Sequence, residues 1–163
     1  MKQFMLETIS LATQGNPQDL PIASLLTNPR TSEILLTARD TRISTSHPLH
    51  HSIMNLVADL PSISSPAAGM KDSEEQYYAQ GYDVYTTYEP CTMCAMALVH
   101  SRIRRLVFWK GMEKTGAKEV GWMTGDEGED ALNHRYMVFE GVEGGLGEDI
   151  EGMVGELGEG VCA

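Results

Sequence analysis

The residues of this 163-residue chain best suited to chemistry are two thiols, Cys91 and Cys94, in a Pro-Cys-x-x-Cys motif. Spacing of three positions at a helix start places both side chains on one face of the helix. The amino end of a helix favours the thiolate, which is the form that binds metal. Two cysteines at this spacing indicate a redox pair, half of a zinc site or a chance occurrence.

Zinc requires more than two ligands, and the histidines provide candidates for the third. We prefer His51, because it lies at the start of the predicted helix that precedes the cysteines. His47 and His50 are close rivals for the same role. His100 and His134 are interpreted as structural or surface residues.

The end of the chain offers two candidates for a fourth ligand besides water, namely the thiol of Cys162 and the carboxylate of Ala163. This end differs in composition from the rest, since 8 of the 23 residues from position 141 onward are glycine. Each glycine costs about 1 kcal/mol in a helix interior. We therefore predict a weak helix or a Gly-rich acidic tail over 141–163.

Helices and strands alternate among the elements that must position these residues. Apolar spacing of about 3.6 residues predicts helices over 3–14, from Pro48 to about Leu60, and over 91–102. Short apolar runs predict strands over 22–27, 33–37, 82–88, 106–109 and 136–139. Residues 61–72, rich in Pro, Ser and Gly, are predicted to form a loop. The alternation indicates one layered α/β domain over 1–140.

The charge is distributed unevenly along the chain. Of a net charge of −11, residues 1–125 contribute −1 and residues 126–163 contribute −10. The first part also contains a basic cluster: Arg102, Arg104, Arg105, Lys110, Lys114 and Lys118. This cluster could contact phosphates, although a solvated rim or ion pairs facing a partner are the commoner explanations of such a charge run.

Composition excludes several classes of protein. No apolar run approaches the roughly 18 residues of a membrane span, and the first residues do not form a signal peptide. We therefore expect a soluble protein of the cytoplasm or nucleus that does not bind membranes. Three cysteines are too few for a disulfide scaffold, and in a reducing compartment they are expected to bind a metal or to be inert.

The combined pattern resembles the zinc-dependent nucleobase deaminases, whose signature is His-x-Glu followed by Pro-Cys-x-x-Cys. Within that group, three segments are similar to the non-catalytic subunit of the eukaryotic tRNA wobble-adenosine deaminase. These segments are His47–Met54, Glu89–Ile103 and Leu132–Arg135. The resemblance implies a three-layer α/β/α, cytidine deaminase-like fold with a mixed sheet of about five strands. It also implies a zinc ion held by His51, Cys91 and Cys94.

One position departs from the deaminase signature, because Ile53 stands where the resemblance places the proton-carrying Glu. Isoleucine cannot exchange a proton, so no catalytic residue is assigned and the chain alone is expected to be inactive. The resemblance implies a heterodimer with a catalytic subunit, acting on the anticodon arm of tRNA to convert adenosine to inosine. An additional N-terminal domain, usual in this group, is expected to be absent here or removed.

Two alternatives remain open at this point. The first is an active deaminase with a relocated acid, for which Glu89 is the nearby candidate; the competing interpretation of Glu89 is an orienting or surface residue. The second is a stand-alone module with a structural zinc or a redox pair and no role in tRNA modification.

Overall fold

The computed structural model describes residues 1–63, 78–117 and 134–141. The described helices are α1 (Lys2–Thr13), α2 (Ser52–Ile63) and α3 (Thr92–His100). The strands are β1 (Ala23–Asn28), β2 (Glu33–Arg39), β3 (Asp83–Tyr88), β4 (Arg105–Lys110) and β5 (Met137–Glu140). The helices and strands predicted over residues 3–139 are present, with ends that differ by a few residues.

The five described strands form one mixed sheet in the order β2-β1-β3-β4-β5. The β1 strand pairs antiparallel with both β2 and β3, whereas β3, β4 and β5 run parallel to one another. The β3–α3–β4 segment is a crossover unit in which a helix connects two parallel neighbours. This unit places the start of α3 directly after the carboxyl end of β3.

Side-chain alternation along the strands divides the core between the two faces of the sheet. On one face, Leu26 and Val84 belong to a cluster with buried residues of α2 and α3. On the other face, Leu25 and Tyr85 pack with Met5 and other residues of α1. Consecutive strand residues point to opposite faces, so the two clusters are separate layers. The predicted three-layer α/β/α architecture is confirmed.

The second helix differs from its prediction at both ends. It begins at Ser52, not at Pro48, because residues 41–50 fold into turns closed by a 3.0 Å hydrogen bond from the Thr41 amide to the His50 carbonyl. Leu49 is consequently 51% exposed instead of lying on the buried stripe. The helix also continues through Pro61, losing one backbone hydrogen bond, to Ile63, so the loop predicted over 61–72 is wrong for residues 61–63.

Several predictions lie outside the described residues. These are the loop over 64–72, the end of the chain from 142 onward with Cys162 and Ala163, and the basic residue Lys118. Within the described ranges, no helix combines the length and apolar character needed to cross a bilayer.

Candidate metal centre

The two thiols occupy the first turn of α3. Cys91 is the N-cap residue in extended conformation, with φ −68° and ψ 167°, and the amide of Ala95 donates to its carbonyl at 2.9 Å. Cys94 lies three positions on and is fully buried, whereas Cys91 is 7% exposed. Both sulfurs therefore lie at the amino end of α3, where the helix dipole stabilises negative charge.

His51 reaches the thiols from the residue immediately before α2. Its Nδ1 atom lies 3.8 Å from Cys91 Sγ and 3.6 Å from Cys94 Sγ, and its side chain is buried. The structure thus brings together the three side chains that the resemblance implies as zinc ligands. Among the described residues, they are the one group of three or more His, Cys, Asp or Glu side chains with ligand atoms close enough to share a metal.

The spacing of these atoms fits a tetrahedral zinc site. Zinc bonds of about 2.3 Å to sulfur and about 2.05 Å to nitrogen, at a tetrahedral angle, imply nitrogen–sulfur separations of about 3.6 Å. The observed 3.6 and 3.8 Å are close to that value. Two thiolates and one neutral imidazole also balance a divalent cation, which suits a site with so little exposure to water. The residues present therefore fit zinc.

Buried hydroxyl groups fix the start of α2, and with it His51. The Ser52 and Ser24 hydroxyls share a 2.8 Å hydrogen bond, and Ser24 donates in turn to Thr86 Oγ1 at 3.2 Å. All three side chains are buried. The chain of hydroxyls ties the first residue of α2 to β1 and β3, so the imidazole next to it is held over the sheet.

A second anchor comes from Asn55, one turn into α2. Its side-chain amide donates to the Arg39 carbonyl at 2.8 Å and to Thr41 Oγ1 at 3.0 Å. These bonds hold the loop before His51 against the helix. Sequence reasoning missed this anchor, because a lone polar residue in an amphipathic helix has no recognisable motif.

The surroundings of the sulfurs are apolar. Ile53 is 2% exposed and belongs to the same core cluster as Cys91 and Cys94. Tyr136 packs against this cluster and donates from its hydroxyl to the Ala95 carbonyl at 3.4 Å. Burial, followed by the negative charge of Cys94, raises the pKa of the Tyr136 phenol well above its ordinary value. A neutral tyrosine therefore lies beside Cys94.

Glu89 is a buried residue, not the surface residue that one interpretation expected. It is 3% exposed, and its Oε2 atom accepts a 2.9 Å hydrogen bond from the Met112 amide. Gly116 packs directly on the carboxyl group, where a Cβ atom would overlap it. Glu89 thus orients the loop over 111–117, whose Gly116 forms a β-bridge with Cys91. Its carboxylate is not in the group of potential metal ligands.

The other histidines are placed apart from the ligand group. His47 and His50 stack on each other with ring centroids 4.0 Å apart, and His50 Nδ1 bonds Thr45 Oγ1 at 2.8 Å. His134 Nε2 bonds the Ile103 carbonyl at 2.7 Å, in keeping with a structural role, and His100 is exposed.

The basic cluster is partly neutralised within the chain. Arg104 binds the buried Asp83 carboxylate through two 2.8 Å hydrogen bonds, and Arg105 binds it through Nε and Nη2. Sequence analysis did not anticipate this intramolecular pairing, because Asp83 lies about 20 positions away and becomes a neighbour only through β3–β4 pairing.

These features define a class of protein. The family described as the cytidine and deoxycytidylate deaminase zinc-binding region matches residues 1–110, and the chain belongs to that family. Its curated relatives include a probable inactive tRNA-specific adenosine deaminase-like protein 3 from Danio rerio, 35% identical over 92% of this chain. The tRNA-specific adenosine deaminase subunit TAD3 of Saccharomyces cerevisiae is 32% identical over 95% of this chain.

The alignments cover 49% and 46% of those two proteins, so this chain spans about half the length of the curated relatives that it matches. A solved structure from a study of A-to-I editing by tRNA:A34 deaminases has a TM-score of 0.66. It is 22% identical, and the match covers 93% of this chain and 99% of that one. A guanine deaminase from Nitrosomonas europaea has a TM-score of 0.61 at 17% identity over 93% and 79% of the respective chains. These likenesses confirm the deaminase-like fold.

Proposed function

We propose that this chain is the catalytically silent, zinc-binding subunit of a heterodimeric tRNA adenosine deaminase that produces inosine at the wobble position. The observation that supports the proposal most directly is a complete ligand trio beside a buried Ile53. The names of the relatives from fish and yeast, both tRNA adenosine deaminase proteins, point the same way. In this role the protein would act on tRNA as part of the heterodimer, in the cytoplasm or nucleus.

His51, Cys91 and Cys94 would hold the metal, and the family to which the chain belongs is a zinc-binding one. Bound zinc supplies a Lewis acid that can polarise a water, or a cross-link that stabilises a fold. Here the cross-link would join the starts of α2 and α3, which pack side by side on one face of the sheet. His51, just before α2, would supply a neutral imidazole, and the two cysteines at the start of α3 would supply thiolates. Because none of these ligands needs a proton carrier to hold zinc, the cross-link does not depend on a Glu at position 53.

The local chemistry does not favour hydrolysis in this chain. Ile53 has no proton to exchange, and a positioned acid–base group contributes about 10²- to 10⁴-fold to such reactions. Glu89 is engaged by the Met112 amide and by Gly116, which holds its carboxylate in the 111–117 loop. No other carboxylate among the described residues joins the ligand group. The proton transfers would therefore be carried out by a partner subunit.

Co-expression with a catalytic deaminase subunit tests the proposal. We expect the two chains to co-purify and to convert adenosine to inosine in tRNA, whereas this chain alone gives no inosine. Ile53→Glu places a carboxylate in the core, so it is assayed only in preparations that keep the parent Tm and still co-purify with the partner; in these the rate of the complex should change less than twofold, because the chemistry takes place elsewhere. Zinc content, measured by mass spectrometry of the purified chain, should be one ion per chain and should fall in Cys94→Ala.

Glu89→Gln is the matched test of the relocated acid. The amide oxygen of glutamine can still accept the bond from Met112, so the fold should survive. Inosine formation by the chain alone, abolished by Glu89→Gln, would overturn the proposal. Failure to associate with any deaminase subunit would do the same and would favour a stand-alone zinc module.

A further inference from the structure

A second site lies at the opposite end of α3 from the thiols. A cavity of about 400 Å³ opens between the loop before β3, the end of α3 and the starts of β4 and β5. Its lining includes Gln80, Arg102, Arg104, His134 and Arg135. From Cys94 the helix runs six more residues to His100, a rise of about 9 Å, and Arg102 follows beyond the C-cap, so this cavity is distinct from the metal centre.

Backbone hydrogen bonds hold the walls of the cavity together. The Arg104 amide donates to the Tyr82 carbonyl at 2.8 Å, and the Met137 amide donates to the Arg104 carbonyl at 3.2 Å. The Ala79 amide bonds the Ser101 carbonyl at 3.0 Å. The three chain segments are thus tied to one another, and the site is formed before any ligand arrives.

The cavity is positively charged among the described residues. Three arginines line it, and none of its lining residues is a carboxylate. Asp83 binds both Arg104 and Arg105, and its single negative charge can neutralise only one of them. Arg104 donates to Asp83 from Nε and Nη2, so its Nη1 group lies on the opposite side of the guanidinium from that carboxylate. The Arg104 side chain is 39% exposed.

The end of α3 fixes the position of Arg102 at the cavity. It follows the C-cap of α3 with φ 58°, in a Schellman motif formed by hydrogen bonds from Arg102 to Val99 and from Ile103 to Leu98. Glycine is the favoured residue at that position because a Cβ atom is strained there. The motif therefore holds an exposed arginine in a defined backbone conformation in the lining of the cavity.

We propose that this cavity binds a phosphodiester group of the RNA backbone. Planar guanidinium groups match two phosphate oxygens at once, and converging arginines are the usual means of holding such a group. The choice of RNA as the source of the phosphate rests on the function proposed above; the preference for a phosphate anion rests on the cavity itself. The site contacts RNA away from the modified base and so contributes to affinity, not to chemistry.

The test compares two pairs of substitutions in the complex with the catalytic subunit. Arg102→Gly with Arg135→Gln removes two charges from the cavity, and Arg30→Gln with Lys2→Gln removes two exposed charges elsewhere. Fluorescence anisotropy of a labelled tRNA transcript is followed over a KCl series. We expect the cavity pair to weaken binding about tenfold at 0.1 M KCl and to reduce the salt slope by about 1 to 2, with the control pair within twofold of the parent.

Thermal unfolding shows whether the cavity pair is folded, and Arg102→Gly should retain the parent Tm or exceed it by up to about 4 °C. The proposed site would be refuted if the cavity pair and the control pair lost the same affinity for tRNA, or if neither pair lost any. So would loss of binding to polyglutamate with tRNA binding intact, because an acidic protein segment would then be the ligand. Inosine formation at saturating tRNA is measured in the same preparations. Its absence in the parent complex refutes the proposed function without touching the binding result.

Discussion

Zinc should stabilise this chain through three named side chains, and the size of the effect can be worked out. His51 Nδ1 already lies 3.6 and 3.8 Å from the two sulfurs, so little rearrangement accompanies metal binding. A ligand that binds only the folded state at a thousandfold excess over its Kd adds about 4.1 kcal/mol. Unfolding of 163 residues carries an entropy of roughly 0.34 kcal/mol/K, so Tm should rise by about 12 °C.

Differential scanning calorimetry of the apo and zinc-loaded chain measures this shift directly. Cys94→Ala and His51→Ala each leave two ligands and should reduce the zinc-dependent rise to less than about 3 °C. His47→Ala is the matched control, because His47 is exposed and stacks on His50 outside the ligand group. It should keep the full shift.

Two results would refute the reasoning. If zinc raised the Tm of Cys94→Ala as much as that of the parent, the metal would bind elsewhere. If saturating zinc left the Tm of the parent unchanged, the three side chains would not bind zinc in spite of their spacing.

Two further predictions concern Asp83, which binds two arginines, and Gly116, which packs on the Glu89 carboxyl group. Burial raises the pKa of Asp83, but hydrogen bonds and charge from its two arginines outweigh it and hold the pKa below 3.8. The contribution of Asp83 to stability is therefore complete above its unfolded pKa and is lost as pH falls through its lower folded pKa. Asp83→Asn should lower the free energy of unfolding in urea by about 3 kcal/mol at pH 7, and the stability of this variant should fall less steeply than that of the parent below about pH 4. Gly116→Ala should displace the Glu89 carboxyl group and cost about 1–3 kcal/mol, whereas Gly15→Ala, with ordinary contacts at 3.5 Å, should be close to neutral; equal effects would contradict the close packing.

Much of the candidate site could be predicted from local sequence. The Pro-Cys-x-x-Cys spacing determines that both thiols share one face of a helix start, and Ile53 shares the apolar period of Leu56 and Leu60. Such features depend on helical geometry over a few residues, which the chain specifies locally. Hydrophobic periodicity is equally local, so the sequence predicts which segments form helices and strands. It does not fix their ends, because these depend on contacts with distant residues, as at Pro48, which precedes the first residue of α2.

Contacts between distant residues were decided by tertiary structure. Sequence could not show that Asp83 would receive two arginines, that Glu89 would be buried against Gly116, or that Arg102 would border a basic cavity. Charged and polar residues follow no short-range period, and each could be solvated equally well at the surface. Only strand register and helix packing bring their side chains within a few ångströms of one another, because those are the interactions that bring distant parts of the chain together.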